Sequence, residues 1–241
     1  IANGLSISIA TAGGLITGYA VGVMIGAPIM TLSLGKLTKR HALGLLLLLF
    51  IAGNLLAAQA DSYWSLMIAR LITSLNHGAF FGIGSVVAAS LVEKHKQASA
   101  VAAMFMGLTI ANLVGVPLVT WIGQQYGWRL AFILISGLGF ITLIGLLMFL
   151  PVMPKGNKPN IKYELGVLTR LPVVLALLTT VFGASALFAL YTYIAPFLTN
   201  TVHISESHVA VVLVIIGLGF IIGNYLGGKL SSYGIEKTLI L

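Results

Sequence analysis

The residues of this sequence that could do chemistry inside an apolar stretch lie between positions 69 and 78. Arg70 and His77 stand there in a largely hydrophobic run, together with Ser74 and Asn76. At 100° per residue on a helix, Arg70, Ser74 and His77 share one face, and Asn76 is displaced to the side. A polar stripe of this kind is expected to face a cavity rather than lipid. The four residues are therefore predicted to belong to a substrate or proton pathway.

Two interpretations of His77 remain open. A neutral histidine that is hydrogen-bonded to a neighbouring helix would be structural. A histidine that titrates near physiological pH would instead transfer protons or bind substrate. An arginine such as Arg70 costs about 2.5–3.5 kcal/mol at mid-bilayer on insertion scales, although this one lies toward the outer end of its stretch and can partly snorkel.

The carboxylates of the chain all lie in loops or at the ends of apolar stretches: Asp61, Glu93, Glu164, Glu206 and Glu236. No apolar stretch therefore offers an acid to orient a histidine. No histidine pair has metal-ligand spacing, and no glycine-rich loop follows a strand to cradle phosphate. The sequence thus predicts no enzyme, no metal site and no cofactor, and an energy source that is an ion gradient or the solute's own gradient.

Composition predicts a membrane protein. Charged residues make up 7% of the 241 residues and hydrophobic residues 59%, whereas about 25% of residues are charged in soluble domains. The net charge of +8 is dispersed over short loops, so it does not indicate a nucleic-acid partner. Basic residues concentrate in alternate gaps between apolar stretches, which predicts that these gaps are cytoplasmic. They are Lys36, Lys39, Arg40, Lys94, Lys96, Lys155, Lys158, Lys162, Arg170, Lys229 and Lys237.

Runs of about 20 apolar residues without alternation predict membrane-spanning helices. The sequence predicts seven, at 10–34, 42–59, 65–91, 98–122, 130–150, 172–198 and 208–230. The segment 151–171 is rich in proline and basic residues and is predicted to be a cytoplasmic linker. It would separate a half-bundle at 1–150 from two spans at 172–241, within an all-α polytopic membrane bundle.

Glycines recur at an offset of 197 residues. Gly22 and Gly26 match Gly219 and Gly223, and a basic helix end follows each pair. Repeated halves are typical of secondary transporters, in which one bundle rocks against the other around a site at the bilayer midplane. Close helix packing through Gly-x-x-x-Gly is the alternative explanation of the same residues.

Three motifs resemble those of the major facilitator superfamily, in particular its twelve-span drug and sugar-efflux antiporters, which look like arabinose efflux permeases. The segment 31–40 is similar to the family's loop between spans two and three. Lys36, Lys39 and Arg40 keep the basic positions of that loop, and Gly35 stands where the family has an aspartate that gates by charge pairing. Arg70 matches the arginine of the family's span four.

The third motif, at 107–117, is similar to the family's Gly-x-x-x-Gly-Pro antiporter motif, with one residue inserted before Pro117. Gly107 and Gly115 would let a neighbouring helix approach, and Pro117 frees a carbonyl and can bend the helix. The resemblance makes this bend a sign of an exporter, and generic kinked packing is the alternative. Thr109 and Asn112 are predicted to line the same cavity as His77.

The resemblance implies that the chain corresponds to spans two to eight, so that 1–150 would be a half-bundle without its first span and any acid that couples protons would lie elsewhere. It implies a monomeric secondary transporter in the bacterial plasma (inner) membrane. This transporter would export a small organic solute, drug-like or sugar-like, in exchange for protons by alternating access. An uptake symporter or facilitator of the same fold is the alternative within transport. A non-transporting receptor or assembly factor is the alternative from another class.

Overall fold

The computed structural model describes residues 1–153 and 166–230 as a bundle of α-helices. The π segment Ala111–Gly115 joins the fourth helix to the fifth, and short 3₁₀ turns lie at Asn3–Leu5 and Lys94–Lys96. The helices are α1 (Ile9–Leu34), α2 (Lys39–Gln59), α3 (Tyr63–Ser90), α4 (Gln97–Ile110), α5 (Val116–Tyr126), α6 (Trp128–Phe149), α7 (Leu171–Asn200) and α8 (Glu206–Leu230).

The helices begin and end within a few residues of the predicted spans. Six segments of the described chain are long and apolar enough to cross a membrane: α1, α2, α3, the continuous stretch Lys94–Tyr126, α6 and α7. The seventh predicted span is the helix α8, whose described apolar run, His208–Gly223, is shorter. The all-α polytopic fold is therefore confirmed.

Basic residues lie at the connections of α1 to α2, α3 to α4 and α6 to α7. These three connections are at the same end of the bundle because consecutive spans run in opposite directions and α4 and α5 together form one span. The pattern matches the predicted cytoplasmic side. Most of the predicted linker, 154–165, and the residues 231–241 lie outside the described chain, so the division into 1–150, 151–171 and 172–241 stays a prediction.

Helix α1 packs on α3 through a row of glycines at every fourth residue. At each of them an added Cβ would collide with a side chain of α3, and at Gly26 it would also lie 3.1 Å from the Cα of Leu75. Without a hydrophobic drive between helices in lipid, association depends on such close packing. Gly22 and Gly26 thus allow α1 to pack closely on α3. A role of these glycines in gating stays a prediction. The row is Gly14, Gly18, Gly22 and Gly26.

Helix α2 packs between α3 and α6. Gly53 of α2 receives the side chain of Thr73, and Gly139 of α6 receives Phe50. The Ser136 hydroxyl donates a hydrogen bond of 2.8 Å to the carbonyl of Ile51, so a buried polar group also joins α6 to α2. These contacts hold α3 and α6 against α2.

Arginines hold both ends of the antiparallel pair of α2 and α6. Arg40, at the start of α2, donates a hydrogen bond to the carbonyl of Leu147 in the last turn of α6. Arg129, at the start of α6, donates one of 2.7 Å to the carbonyl of Ala60, which follows the last turn of α2. Cations are favourable at carbonyl ends of helices, where backbone acceptors lack partners. Arg40 therefore acts within the first five spans here.

Helix α8 packs on α5 and the π segment, and α7 packs on α8 and α1. Leu198 of α7 and Val209 of α8 form a cluster to which Val116 of α5 is packed. Gly217 of α8 approaches the π segment, where an added Cβ would lie 2.7 Å from the Cα of Leu113. A Cβ at Gly219 or Gly223 would meet no described atom within 4 Å. Within the described chain, the close packing of Gly22 and Gly26 is therefore not repeated at Gly219 and Gly223.

A Gly22→Ala substitution should lower the free energy of unfolding by about 1–3 kcal/mol, because the added methyl group overlaps Ser74 and lies 3.1 Å from Leu71. Thermal unfolding of the detergent-purified protein measures this. Gly137→Ala is the matched control, since a Cβ there meets no described atom within 4 Å. Adding Ser74→Gly to Gly22→Ala should restore part of the loss. Equal stability of the two alanine variants would contradict the close packing.

Candidate solute and proton site

Tyr19 of α1 lies between the two predicted pathway residues Arg70 and His77. The Arg70 Cζ atom is 4.0 Å from the centroid of the Tyr19 ring. The Tyr19 hydroxyl is hydrogen-bonded to Nδ1 of His77 at 3.0 Å, and the two rings meet edge to face with centroids 5.8 Å apart. One aromatic side chain thus connects a permanent cation to a titratable imidazole.

Aromatic rings continue from His77 toward α4. The Phe81 ring lies one turn further along α3, with its centroid 5.3 Å from that of His77. Phe105 of α4 stacks on Phe81 at 5.4 Å with an interplanar angle of 9°. His77 therefore lies between α1 and α4, and its own side chain is exposed. Rings of this kind offer flat apolar surfaces beside the polar groups.

The site lies within the membrane-spanning part of α3. At about 1.5 Å per residue, Arg70 is about 10 Å and His77 about 20 Å from the start of the helix at Tyr63. A hydrocarbon core is about 30 Å thick. His77 is thus close to mid-bilayer and Arg70 is nearer to the outer side, as predicted.

Arg70 has an aromatic partner in place of an acidic one. Within 1–153 and 166–230, the structure shows no ion pair or hydrogen bond to its guanidinium, and the recorded ion pair joins His95 to Glu93 in a cytoplasmic loop. A cation over an aromatic face is stabilised by about 0.5–1 kcal/mol at exposed sites and by about 2 or more when desolvated. The guanidinium keeps planar, forked hydrogen-bond donors that suit carboxylate or other oxygen acceptors.

The Tyr19–His77 pair can exist in two protonation states without losing its hydrogen bond. When His77 is neutral with its proton on Nε2, the Tyr19 hydroxyl donates to Nδ1. When His77 is protonated, both ring nitrogens are donors and the hydroxyl accepts. A proton can therefore enter or leave His77 with Tyr19 still holding the ring in place. The hydrogen bond to a neighbouring helix was one of the two predicted interpretations, and it is compatible with the other.

Ser74 and Asn76 lie apart from this cluster. Ser74 is fully buried against Gly22, and its hydroxyl donates to the carbonyl of Leu71 at 2.6 Å. Asn76 is also buried, and its Oδ1 has no hydrogen-bond partner among the described residues. Ser74 thus packs α1 to α3 in this structure instead of lining an open face with Arg70 and His77, and a pathway role for either residue stays a prediction.

The segment with the third motif is partly π-helical. The amide of Val116 donates to the carbonyl of Ala111, five residues back, directly before Pro117. Proline has no amide hydrogen, and its ring crowds the carbonyl four residues earlier, so a wider turn relieves the conflict. The predicted disturbance by Pro117 thus takes the form of a π turn.

Gly107 and Gly115 were predicted to let a neighbouring helix approach, but the described neighbour approaches this segment elsewhere. A Cβ at Gly107 meets no described atom, and at Gly115 the nearest is Ala111 of its own helix at 3.7 Å. The neighbouring helix α8 approaches instead at Asn112, whose carbonyl oxygen would be 3.2 Å from a Cβ on Gly217. Thr109 is half-buried one turn earlier. That Thr109 and Asn112 share a cavity with His77 stays a prediction.

The basic turn after α1 lies far from this site, at the cytoplasmic end. Gly35 ends α1 in a right-handed conformation, and Lys36 is exposed. Thr38 caps α2, where its hydroxyl accepts from the amide of His41. Lys39 and Arg40 begin α2. A gating role for these residues stays a prediction.

Sequence reasoning did not find Tyr19, Phe81 or Phe105. A usable signal was present for Tyr19, because it follows Gly18 and precedes Gly22 in the glycine row and is the only tyrosine of α1. An aromatic hydroxyl beside a row of small residues is held close to the partner helix. Which residue of that helix it meets depends on the helix crossing, and the sequence does not give this.

Fold and site together define a polytopic membrane protein with a charged and titratable cluster inside its spans, and such clusters mark substrate, ion or proton pathways in membranes. The family model described as Major Facilitator Superfamily matches residues 1–241. The chain belongs to this superfamily.

Relatives of the chain include named transporters. It is 56% identical over 239 residues to "Inner membrane transport protein YdhP" of Escherichia coli (strain K12), covering 99% of this chain and 61% of that protein. It is 32% identical over 241 residues to "Probable sugar efflux transporter" of Mannheimia succiniciproducens, covering 100% of this chain and 60% of that protein. The chain spans about three fifths of the length of these relatives. It is a multi-pass protein of a bacterial inner membrane, as predicted.

A solved structure shows the same fold. The crystal structure of a bacterial homolog to the human lysosomal transporter Spinster, in an inward-facing and occupied conformation, matches with a TM-score of 0.71 at 20% identity. The match covers 98% of this chain and 56% of that one. The major facilitator type of bundle is therefore confirmed.

Tyr19 and Arg70 should be energetically coupled by about 0.5–2 kcal/mol, because the guanidinium lies over the ring. A double-mutant cycle with Tyr19→Leu and Arg70→Leu, read as the free energy of unfolding in detergent, measures the coupling. Tyr19→Phe is the matched control, since it keeps the ring and loses only the hydroxyl. Additive effects of the two leucine variants would contradict the contact.

Proposed function

We propose that the protein containing this chain is a secondary active transporter that exports a small organic solute, drug-like or sugar-like, by exchange with protons. Membership of the superfamily supports transport, and the relative named as a sugar efflux transporter supports the solute class and the direction. Alternating access in such proteins comes from rocking of one half against the other around a midplane site. The protein would work as a monomer with the lipid bilayer, the solute and protons as its partners.

The observation that carries the proposal is the Arg70–Tyr19–His77 cluster. A cation, a phenol hydroxyl and an imidazole lie within contact distance at the depth where a solute would bind. A solute with hydroxyl or carboxylate oxygens can accept hydrogen bonds from the Arg70 guanidinium. Its apolar face can pack on the nearby rings of Phe81 and Phe105, which follow His77 toward α4.

His77 is the residue of this cluster that can carry the exchanged proton. Of the carboxylates in the described chain, Asp61 and Glu93 lie between helices and Glu206 is the first residue of α8. None of these lies inside a span. Imidazole exchanges protons between about pH 5 and 8. A solute that takes the hydrogen-bonding position of Nε2 would compete with the proton, and such competition at one site is sufficient for exchange.

His77→Ala should remove a titration between about pH 5 and 8 from the profile of solute exchange, because the titratable ring is lost. Counterflow of labelled solute in proteoliposomes with the intact protein measures the profile. His95→Ala is the matched control, since His95 is exposed in a cytoplasmic loop. An unchanged profile and an unchanged affinity would return His77 to a structural role.

Arg70→Ala should abolish counterflow while the protein still inserts, and Arg70→Lys should retain less than one tenth of the wild-type rate. The ammonium keeps the charge but lacks the planar fork that pairs with oxygen acceptors and stacks on Tyr19. Arg170→Ala is the control, because Arg170 is exposed before α7. Wild-type counterflow by Arg70→Ala, at equal amounts of inserted protein, would contradict a role in the pathway.

The direction of transport is tested in energised inverted vesicles. An exporter accumulates labelled solute there in the presence of a proton gradient, acid inside, and loses the accumulated solute when an uncoupler is added. Accumulation in right-side-out vesicles instead would indicate an uptake symporter. Equilibration that an uncoupler does not change would indicate a facilitator. No exchange of any solute from a broad panel would contradict transport.

A further inference from the structure

Two neighbouring glycines of α1 lie against tyrosine hydroxyls from two different helices. A Cβ added at Gly14 would lie 2.9 Å from the hydroxyl oxygen of Tyr63 in α3. A Cβ added at Gly13 would also lie 2.9 Å from a hydroxyl oxygen, that of Tyr193 in α7. Helix α3 belongs with α1 to the first five spans, whereas α7 follows the predicted linker. The two contacts therefore have the same geometry, but only the second one joins α1 to the later part of the chain.

The contact of Gly13 with Tyr193 lies on the outer side of the candidate site. Helix α1 begins at the outer end of the bundle, and Gly13 precedes Tyr19 of the site by six residues. This is a distance of about 9 Å at about 1.5 Å per residue. Thr17, one turn further in on the same face of α1, is exposed. Helix α7 therefore covers α1 at Gly13 and no longer covers it one turn closer to the site.

Helix α7 approaches the other described helices near its outer end. Leu198, three residues from the end of α7 at Asn200, is buried in a cluster with Val209 of α8. Toward the cytoplasm, Leu175 and Leu178 of α7 are exposed, and a Cβ at Gly183 would meet no described atom within 4 Å. Within the described chain, α7 thus closes on its neighbours at the outer side and stands apart from them at the cytoplasmic side.

We propose that Gly13 and Tyr193 form an outer gate, and that the missing side chain at position 13 is what lets this gate close. The inference rests on the proposed function, in which the later part of the chain rocks against the first five spans. Because α1 and α3 move together, the contact of Gly14 with Tyr63 persists in both states. The contact of Gly13 with Tyr193 breaks when the pathway opens outward. A larger residue at position 13 then destabilises the outward-closed state alone and shifts the population toward the outward-open one.

The accessibility of a single cysteine from outside tests the gate. Thr17→Cys is introduced into the intact protein, with any cysteine of the remaining chain replaced by serine. A charged, membrane-impermeant methanethiosulfonate is then added to right-side-out vesicles. Asp61→Cys, exposed in the outer connection between α2 and α3, gives the rate of unhindered labelling. Thr17→Cys should be labelled at least about tenfold more slowly than Asp61→Cys, since a minor state of this kind is populated to about 10% or less.

Gly13→Ala should speed the labelling of Thr17→Cys about fivefold, because the added methyl group overlaps the Tyr193 hydroxyl only while the gate is closed. Gly14→Ala is the matched control. Its methyl group overlaps a tyrosine hydroxyl at the same 2.9 Å, but within the first five spans, so labelling should stay within about twofold of that in the parent protein.

Tyr193→Phe, added to Gly13→Ala, should restore slow labelling. The substitution removes the hydroxyl oxygen at 2.9 Å, and the nearest remaining atoms, Cζ of residue 193 and Cγ2 of Thr192, are at 3.5 and 3.7 Å, which is ordinary contact. Thermal unfolding of each variant establishes that it is folded. Rescue by the loss of one hydroxyl would not be seen if the alanine at position 13 only loosened the bundle.

Three results would overturn the proposal. Labelling of Thr17→Cys as fast as that of Asp61→Cys would show that the outer side is open. Equal labelling rates in the Gly13→Ala and Gly14→Ala proteins would show that the two contacts do not differ between the states. Fast labelling that persists after Tyr193→Phe is added would show that the hydroxyl is not what the gate closes on. All rates are measured without solute, so these results are independent of whether the intact protein exports one.

Discussion

The close approach of α1 to α3 is the constraint on which the site depends. In lipid, helices gain little from burying apolar surface against each other, so their association depends on packing contacts that small residues permit. Four glycines at intervals of one turn bring the backbone of α1 against the side chains of α3. This approach places the Tyr19 ring over Arg70 and its hydroxyl beside His77. A wider separation would break both contacts at once.

The helices packed against α3 decide which of its polar side chains stay exposed and which are buried. Periodicity correctly placed Arg70 and His77 together, because a helix fixes which side chains share a face. It could not show that Ser74, on the same face, is covered by Gly22. The position of a residue on a helix predicts the direction of its side chain. Whether that side chain is buried depends on the size of the residue on the facing helix. The glycine row permits a contact so close that it covers Ser74 but leaves His77 exposed between α1 and α4.

The spans could be predicted from the sequence because bilayer thickness fixes the length of an apolar helix and excludes other backbone arrangements. Their orientation followed from the basic loops. The partner of each helix could not be predicted in the same way: Gly217 meets Leu113, whereas Gly219 and Gly223, selected by the repeat, meet no described neighbour. The π turn before Pro117 was equally hidden, since proline indicates a disturbance but not how the backbone resolves it.

Tyr19, Arg70 and His77 all belong to the first five spans, and this limits what alternating access can change. If one half rocks against the other around a midplane site, the three side chains move together and their mutual contacts persist. What changes is the surface opposite them, and hence whether water, protons or solute reach Nε2 of His77. The cluster is then a fixed half-site, and the second wall that completes it alternately exposes it to each side of the membrane.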